Sequence, residues 1–313
     1  MLGRRSLRVK VMQALYAREM NRDLTLQFLQ NQMQSSITKA VSLYLTNLLY
    51  LIEVCRHSMV DKAKRLSKYI QTEDDKNAST TIAANRIIVY LENNVTFNSL
   101  VKSSNVNHFV QDDIVKNLFG VLAAKQKYKD YAAIAEPTLQ QDKEIISYIL
   151  KKIFEDSSEL AQYLDEHFLN FHDDEDLLLF ILSKYADAFK EDDQTSFVAS
   201  IKLWDEEQKF AHELLKKCYE NDEEILELIK PNLRNWDMER VAVMDMILMK
   251  MAICELKYFP TVPVKVSINE YIDISKLYST PKSKDFVNGV LDKVKFQLIE
   301  SGDIKKFGRG LME

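Results

Sequence analysis

An all-α fold is what the amino-acid sequence predicts. Its 313 residues include only six glycines and five prolines, too few turn formers for a chain of many short strands. Apolar residues recur at three- and four-residue spacing instead of alternating, which is the helical period. The composition, 46% hydrophobic and 28% charged, is that of a folded chain with enough apolar surface for one large domain or two modest ones.

The elements follow in order. Residues 5–21 form a helix, because Leu7, Val11, Ala14 and Leu15 make one stripe that Met12 and Tyr16 broaden. A second run covers Leu24 to Met33, and Ile37 to Leu66 is a long helix ended by the polar stretch 72–77. Two or three further helices are expected after it, with breaks near 102–105, at Glu136-Pro137, near Asp173 and at 191–196. A tighter series then begins: Trp204 to Tyr219, Asp222 to Lys230 ended by Pro231, and a strongly apolar segment from Met238 to Tyr258 that stops at Pro260 and Pro263. Ser267 and Glu270 have the spacing of a capping box and predict a helix from Ile268 to about Leu277. Ser279-Thr280-Pro281 opens a last helix, which Ser301-Gly302 closes near Ile299. The tail beyond Asp303 is expected to be loose.

Bulk properties narrow the function. Cys55, Cys218 and Cys254 are an odd number without C-x-x-C spacing, so reduced thiols and a cytoplasmic location are expected. No apolar core follows Arg4, Arg5 and Arg8 as a secretion signal requires. The apolar stretch from Val41 to Cys55 carries Asn47 and Glu53 and is too short to cross a bilayer, so no membrane partner is expected. The net charge is −5, but it is segregated: residues 1–22 are rich in arginine, whereas residues 155–193 hold thirteen carboxylates against Lys184 and Lys190. The sign of a local face therefore says more than the total.

Arg4, Arg5 and Arg8 open a helix whose other face is apolar, so they are expected to project outward, where guanidinium groups grip phosphate. Taken alone, they are equally a solvated basic terminus. Lys282 and Lys284, with Lys276 upstream, stand at a helix N-terminus, which favours anions; phosphate bound among them is one explanation. Phe286 then offers a stacking face to an unpaired base. The other explanation is that Phe286 is core and the lysines solubilise. Met238, Met244, Met246, Met249 and Met251 are taken as core, and Gly289 after Asn288 as a close helix–helix approach. His167, His172 and the acidic run 173–176 lack metal-ligand spacing, so no metal is expected. No glycine-rich cradle and no nucleophile motif occurs, so neither a cofactor nor catalysis is expected.

Two separated stretches combine into a specific resemblance. Arg4-Arg5-x-x-Arg8 followed by Met12-Gln-Ala-Leu-Tyr16 resembles the opening helix of the NusB transcription antitermination family. Trp236-x-x-x-Arg240, Ile247-Leu248, Ala252-x-x-Glu255-Leu256, the string from Pro263 to Glu270 and Phe286-Val-Asn-Gly-Val-Leu-Asp292 are similar to that family's second half. The resemblance covers about residues 1–35 and 205–300. It implies a NusB-like helical bundle built from an N-terminal part (1–45) and a C-terminal part (204–313), enlarged by a helical insertion (46–203). It further implies binding of single-stranded boxA-like RNA together with the ribosomal protein NusE, within an RNA polymerase antitermination complex serving ribosomal RNA synthesis. By position, Arg4, Arg5, Arg8, Lys282, Lys284 and Phe286 are the expected RNA contacts, and Lys250, Cys254 and Glu255 the expected partner contacts. Cys254 stands where an aromatic residue is common in the family, and Lys282 where an acid can occur. Two alternatives remain at this point: a helical protein scaffold that binds no RNA, and an accessory to ribosomal RNA modification.

Overall fold

In a computed structural model of the chain, residues 4–168, 204–233 and 240–311 are described throughout, with scattered positions between 171 and 190. Every regular element among the described residues is a helix, as the scarcity of turn formers requires. The expected breaks near Asp173 and at 191–196, and the position of Met238, lie outside the described residues. The chain divides into two compact units, one made of Leu2–Ile37 with Trp204–Glu313 and the other of Thr38–Leu203. The first division falls inside a helix, before the 45/46 boundary drawn from sequence; the second falls at 203/204.

In the unit made from the two chain ends, α1 (Arg4–Met20) buries Leu7, Val11, Met12, Ala14 and Leu15. The two helices expected between Leu24 and Leu66 are one, α2 (Leu26–Leu66). Nothing in 34–36 forbids helical dihedrals, and the buried stripe Leu29, Met33, Ile37, Ala40 runs straight through at helical spacing. This helix is long and apolar enough to cross a membrane, contrary to the shorter estimate from sequence, but 67% of its most apolar window is buried in the protein's own core. It packs as a core helix.

The second unit is more finely divided than the two or three helices expected. It contains α3 (Glu73–Lys76), α4 (Arg86–Asn93), α5 (Val95–Ser103), α6 (Asp112–Ala124), α7 (Gln126–Ala132), α8 (Leu139–Tyr148) and α9 (Ser158–His167). The extra starts are set by side-chain caps: Asn85, Asn94, Thr138 and Ser157 accept from the backbone amides of Ile87, Phe97, Gln141 and Leu160. Buried Asp142 ties this unit together, accepting from the Tyr131 hydroxyl at 2.6 Å and from Arg86 Nη1 at 2.8 Å.

The C-terminal third supplies α10 (Trp204–Glu220), α11 (Asp222–Ile229), α12 (Val243–Tyr258), α13 (Val264–Tyr278) and α14 (Ser283–Glu300). Apolar nearly all round, α12 is packed by α1, α10, α11, α13 and α14, the environment such a helix needs. Met249 and Met251 are buried in it, with Met244 and Met246 packed partly against the core. Helix α11 ends at Ile229 before Pro231, as expected, and the chain continues through a 3-10 turn, Lys230–Leu233. Helix α14 ends at Ser301 as expected, with Gly302 at φ +73° and the amides of Gly302 and Asp303 donating to Ile299 and Leu298.

Two expectations fail here for physical reasons. Gly289 makes no close approach: a Cβ there would have no neighbour within 4 Å, and the residue faces outward. Pro281 stands next to the first turn of α14, as expected, with Lys282 as the N-cap residue. The tail is docked, with Lys306 Nζ donating to the carbonyls of Phe259 (2.9 Å) and Glu255 (3.3 Å), and the Phe307 amide to Pro260. At Gly310 a Cβ would sit 2.0 Å from the Pro260 carbonyl oxygen, so only glycine fits.

A candidate nucleic-acid interface

The expected RNA-binding arginines separate into two kinds. Arg4 and Arg5 keep 41% and 43% of their side chains exposed, as the outward projection requires. Arg8 is only 2% exposed, and its expected outward projection is corrected. It lies one turn further along α1, on the side that meets α12 and α13, and its guanidinium forks onto Glu255: Nε to Oε2 at 2.8 Å and Nη2 to Oε1 at 2.7 Å. Glu255 also accepts from the Ser267 hydroxyl at 2.7 Å and the Tyr271 hydroxyl at 2.8 Å. Burial alone would push the Glu255 carboxyl up, but Arg8 and the two hydroxyls overcome it and hold the carboxyl below its ordinary value.

This network explains the misread capping box. Pro263 is the N-cap residue of α13, which starts at Val264, so Ser267 lies inside the helix and turns its hydroxyl to Glu255. Glu270 projects the other way, to the arginines. Arg5 donates Nε to Glu270 Oε2 at 3.0 Å and Nη2 to Oε1 at 2.8 Å, and Nη2 also reaches Asp273 Oδ2 at 3.0 Å. Arg8 Nη1 adds a 3.4 Å bond to Glu270. Arg4 donates to Glu207 at 2.8 Å, with its guanidinium 5.1 Å from the Phe210 ring centre. Glu270 is thus shared between the buried and the exposed arginine.

The start of α14 is fixed by Asp245, whose carboxylate accepts from Ser279 at 2.6 Å and Ser283 at 2.7 Å. Lys282 and Lys284 are exposed there, and Phe286 is half-buried with part of its ring against the core. Between α13 and α14 runs a groove of about 420 Å³, lined by Asn269, Ile272, Asp273, Lys276, Lys284, Asp285 and Asn288. Asp273 is the link: it lines the groove with Lys284 and holds Arg5. The Lys276 ammonium, with Arg5 adding to it, keeps the Asp273 carboxyl below its ordinary value. The groove therefore carries Lys284, at the start of the last helix, beside the carboxylate that holds Arg5. Asn269, Glu270, Asp273 and Asn288 were missed as site residues; their outward spacing on α13 and α14 was the only signal.

The expected partner contacts lie elsewhere. Lys250, Cys254 and Glu255 are all buried in α12, so none presents a side chain to a partner, and that expectation is corrected. Lys250 Nζ pairs with Asp222 at 2.6 Å, and Cys254 packs in the apolar core. They stand on a helix covered on every side, as its apolar run over 243–258 requires.

The NusB family model matches residues 176–296. The transcription antitermination protein NusB of Salinibacter ruber is 44% identical over 103 residues, 33% of this chain and 64% of the relative. The protein of the same name from Chloroherpeton thalassium is 41% identical over 116 residues, 37% of this chain and 53% of the relative. That of Listeria monocytogenes is 41% identical over 90 residues, 29% of this chain and 70% of the relative. The match thus spans less than two thirds of the first two relatives' own length, and no solved structure matches significantly. With a continuous stretch this similar, and an all-helical unit assembled from the two chain ends, the chain belongs to the NusB family.

Proposed function

We propose that the chain is a non-catalytic, cytoplasmic transcription antitermination factor for ribosomal RNA synthesis. In this role it binds boxA-like single-stranded RNA together with ribosomal protein NusE and joins an RNA polymerase antitermination complex. The relatives bear the name transcription antitermination protein. The observation that carries the reading is the placement of Asp273, which holds Arg5 and lines one groove together with Lys284. Phosphate contacts there come from Arg4, Arg5, Lys282 and Lys284, while the exposed part of Phe286 meets a base. Arg8 acts indirectly, by seating α1 against α12 and α13. NusE contacts belong to exposed residues of this unit, since Lys250, Cys254 and Glu255 are enclosed.

Binding to boxA-like and scrambled RNA, titrated with salt and measured with and without NusE, tests the reading. The boxA-like RNA is expected to bind tighter, with affinity falling steeply as salt rises. Equal affinity for both RNAs, with NusE present and absent, contradicts it.

A further inference from the structure

The exposed Arg5 guanidinium is already occupied by the protein's own carboxylates. A guanidinium grips a phosphate along one of two edges, Nε with Nη2 or Nη1 with Nη2, each presenting two parallel donors. Glu270 closes the first edge, accepting from Nε at 3.0 Å and from Nη2 at 2.8 Å. Asp273 closes the second, because its Oδ2 takes the other proton of Nη2 at 3.0 Å. Among the described residues only Nη1 then has no hydrogen-bond acceptor, and one nitrogen alone cannot present two parallel donors. Arg5 nevertheless keeps 43% of its side chain exposed, so a phosphate can reach it.

The two carboxylates are not held alike. Glu270 has the buried Arg8 as its second cation, at 3.4 Å. Asp273 has Lys276, whose Nζ donates to Oδ1 at 2.6 Å. Asp273 can therefore release Arg5 and still be paired. Its side chain is 37% exposed, and it lines the same groove as Lys284. An ion pair this open to water holds weakly. We propose that Asp273 is an internal competitor for RNA: its carboxylate occupies the Arg5 edge that a backbone phosphate takes, and RNA binds by displacing it onto Lys276. This regulation of the site rests on the RNA-binding reading above. It sets a threshold, since RNA that also meets Lys284 and Phe286 offsets the exchange, whereas a lone phosphate does not.

The test uses the full chain, a labelled boxA-like RNA at fixed salt, and four proteins: the parent, Asp273→Ala, Arg5→Ala and the two changes combined. Asp273→Ala is expected to tighten binding about two- to fivefold, the fold-change that an exposed ion pair is worth, with the unfolding midpoint nearly unchanged. Removing any carboxylate near RNA also lowers repulsion, and that share persists without the arginine. In the Arg5→Ala background the gain is therefore expected to shrink to that remainder. Parent-level or weaker binding by a folded Asp273→Ala protein overturns the proposal. An equal gain with and without Arg5 overturns it too, by assigning the effect to charge alone. Arg5→Ala binding as the parent does is a separate result, which removes Arg5 from the RNA site and the proposal with it. Absence of binding by all four proteins instead overturns the RNA-binding reading, and with it the proposal.

Discussion

Arg8 and Glu255 form a buried two-point ion pair across 247 positions of sequence, joining the first helix to the central helix of the C-terminal third. Such a pair stabilises little relative to apolar residues of the same volume, yet removing one partner strands the other. Arg8→Ala is therefore expected to cost about 3–5 kcal/mol of stability, read as a lowered urea midpoint. The double change Arg8→Met with Glu255→Leu is expected to restore part of it, the remainder being the cost of the Ser267 and Tyr271 hydroxyls losing their acceptor. An Arg8→Ala protein as stable as the parent contradicts the structural role.

Acid should act through the same pair. Glu255 is held below its ordinary value of 4.5 in the folded state, so its stabilising contribution is complete above that value and is lost as pH falls through the folded one. The parent's stability is expected to drop relative to the Met/Leu double variant as pH is lowered below about 4.5. Parallel acid profiles for the two proteins sink this prediction.

Lys306 has the opposite signature. Burial lowers its ammonium from 10.5 to about 8, although Glu255 pulls the other way. The unfolded chain binds the proton more readily between those values, so folding gains as pH rises from about 8 to 10.5. The stability difference between the parent and Lys306→Met is expected to move in the parent's favour across that range. A flat difference means the tail amine is not enclosed.

Docking of the tail also depends on Gly310. Its Cβ position lies 2.0 Å from a backbone oxygen of Pro260, and backbone cannot yield as a flexible side chain does. Gly310→Ala is expected to free the segment after Asp303 for limited proteolysis while α14 stays protected. Cleavage at the parent's rate rules out the close approach.

Much of this was legible in the sequence. Helix α1 and the end of α14 follow directly from apolar period and end signals, and the joining of the N-terminal helix to the C-terminal third follows from the family strings. Charge at a helix start was less legible: Arg4, Arg5 and Arg8 look alike in sequence, but one more turn carries Arg8 from solvent into the seam where α1 meets α12 and α13. Ser267 and Glu270 matched a capping box because i to i+3 spacing also serves tertiary bonds on two sides of one helix. Lys250, Cys254 and Glu255 lie on α12, whose apolar run already implied the enclosure that five other helices supply, whereas family position alone marked them as contacts. The caps Asn85, Asn94, Thr138 and Ser157 went unread because polar residues at helix starts look like surface positions.

The division of labour among the arginines is tested most directly by comparing RNA affinity of two variants at matched salt. Arg4→Ala with Arg5→Ala is expected to lose about tenfold or more for boxA-like RNA and to flatten the salt dependence, with the unfolding midpoint nearly unchanged. The Arg8→Met, Glu255→Leu protein is expected to bind as the parent does. If the folded Met/Leu protein loses RNA while the Arg4/Arg5 variant keeps it, the assignment is contradicted.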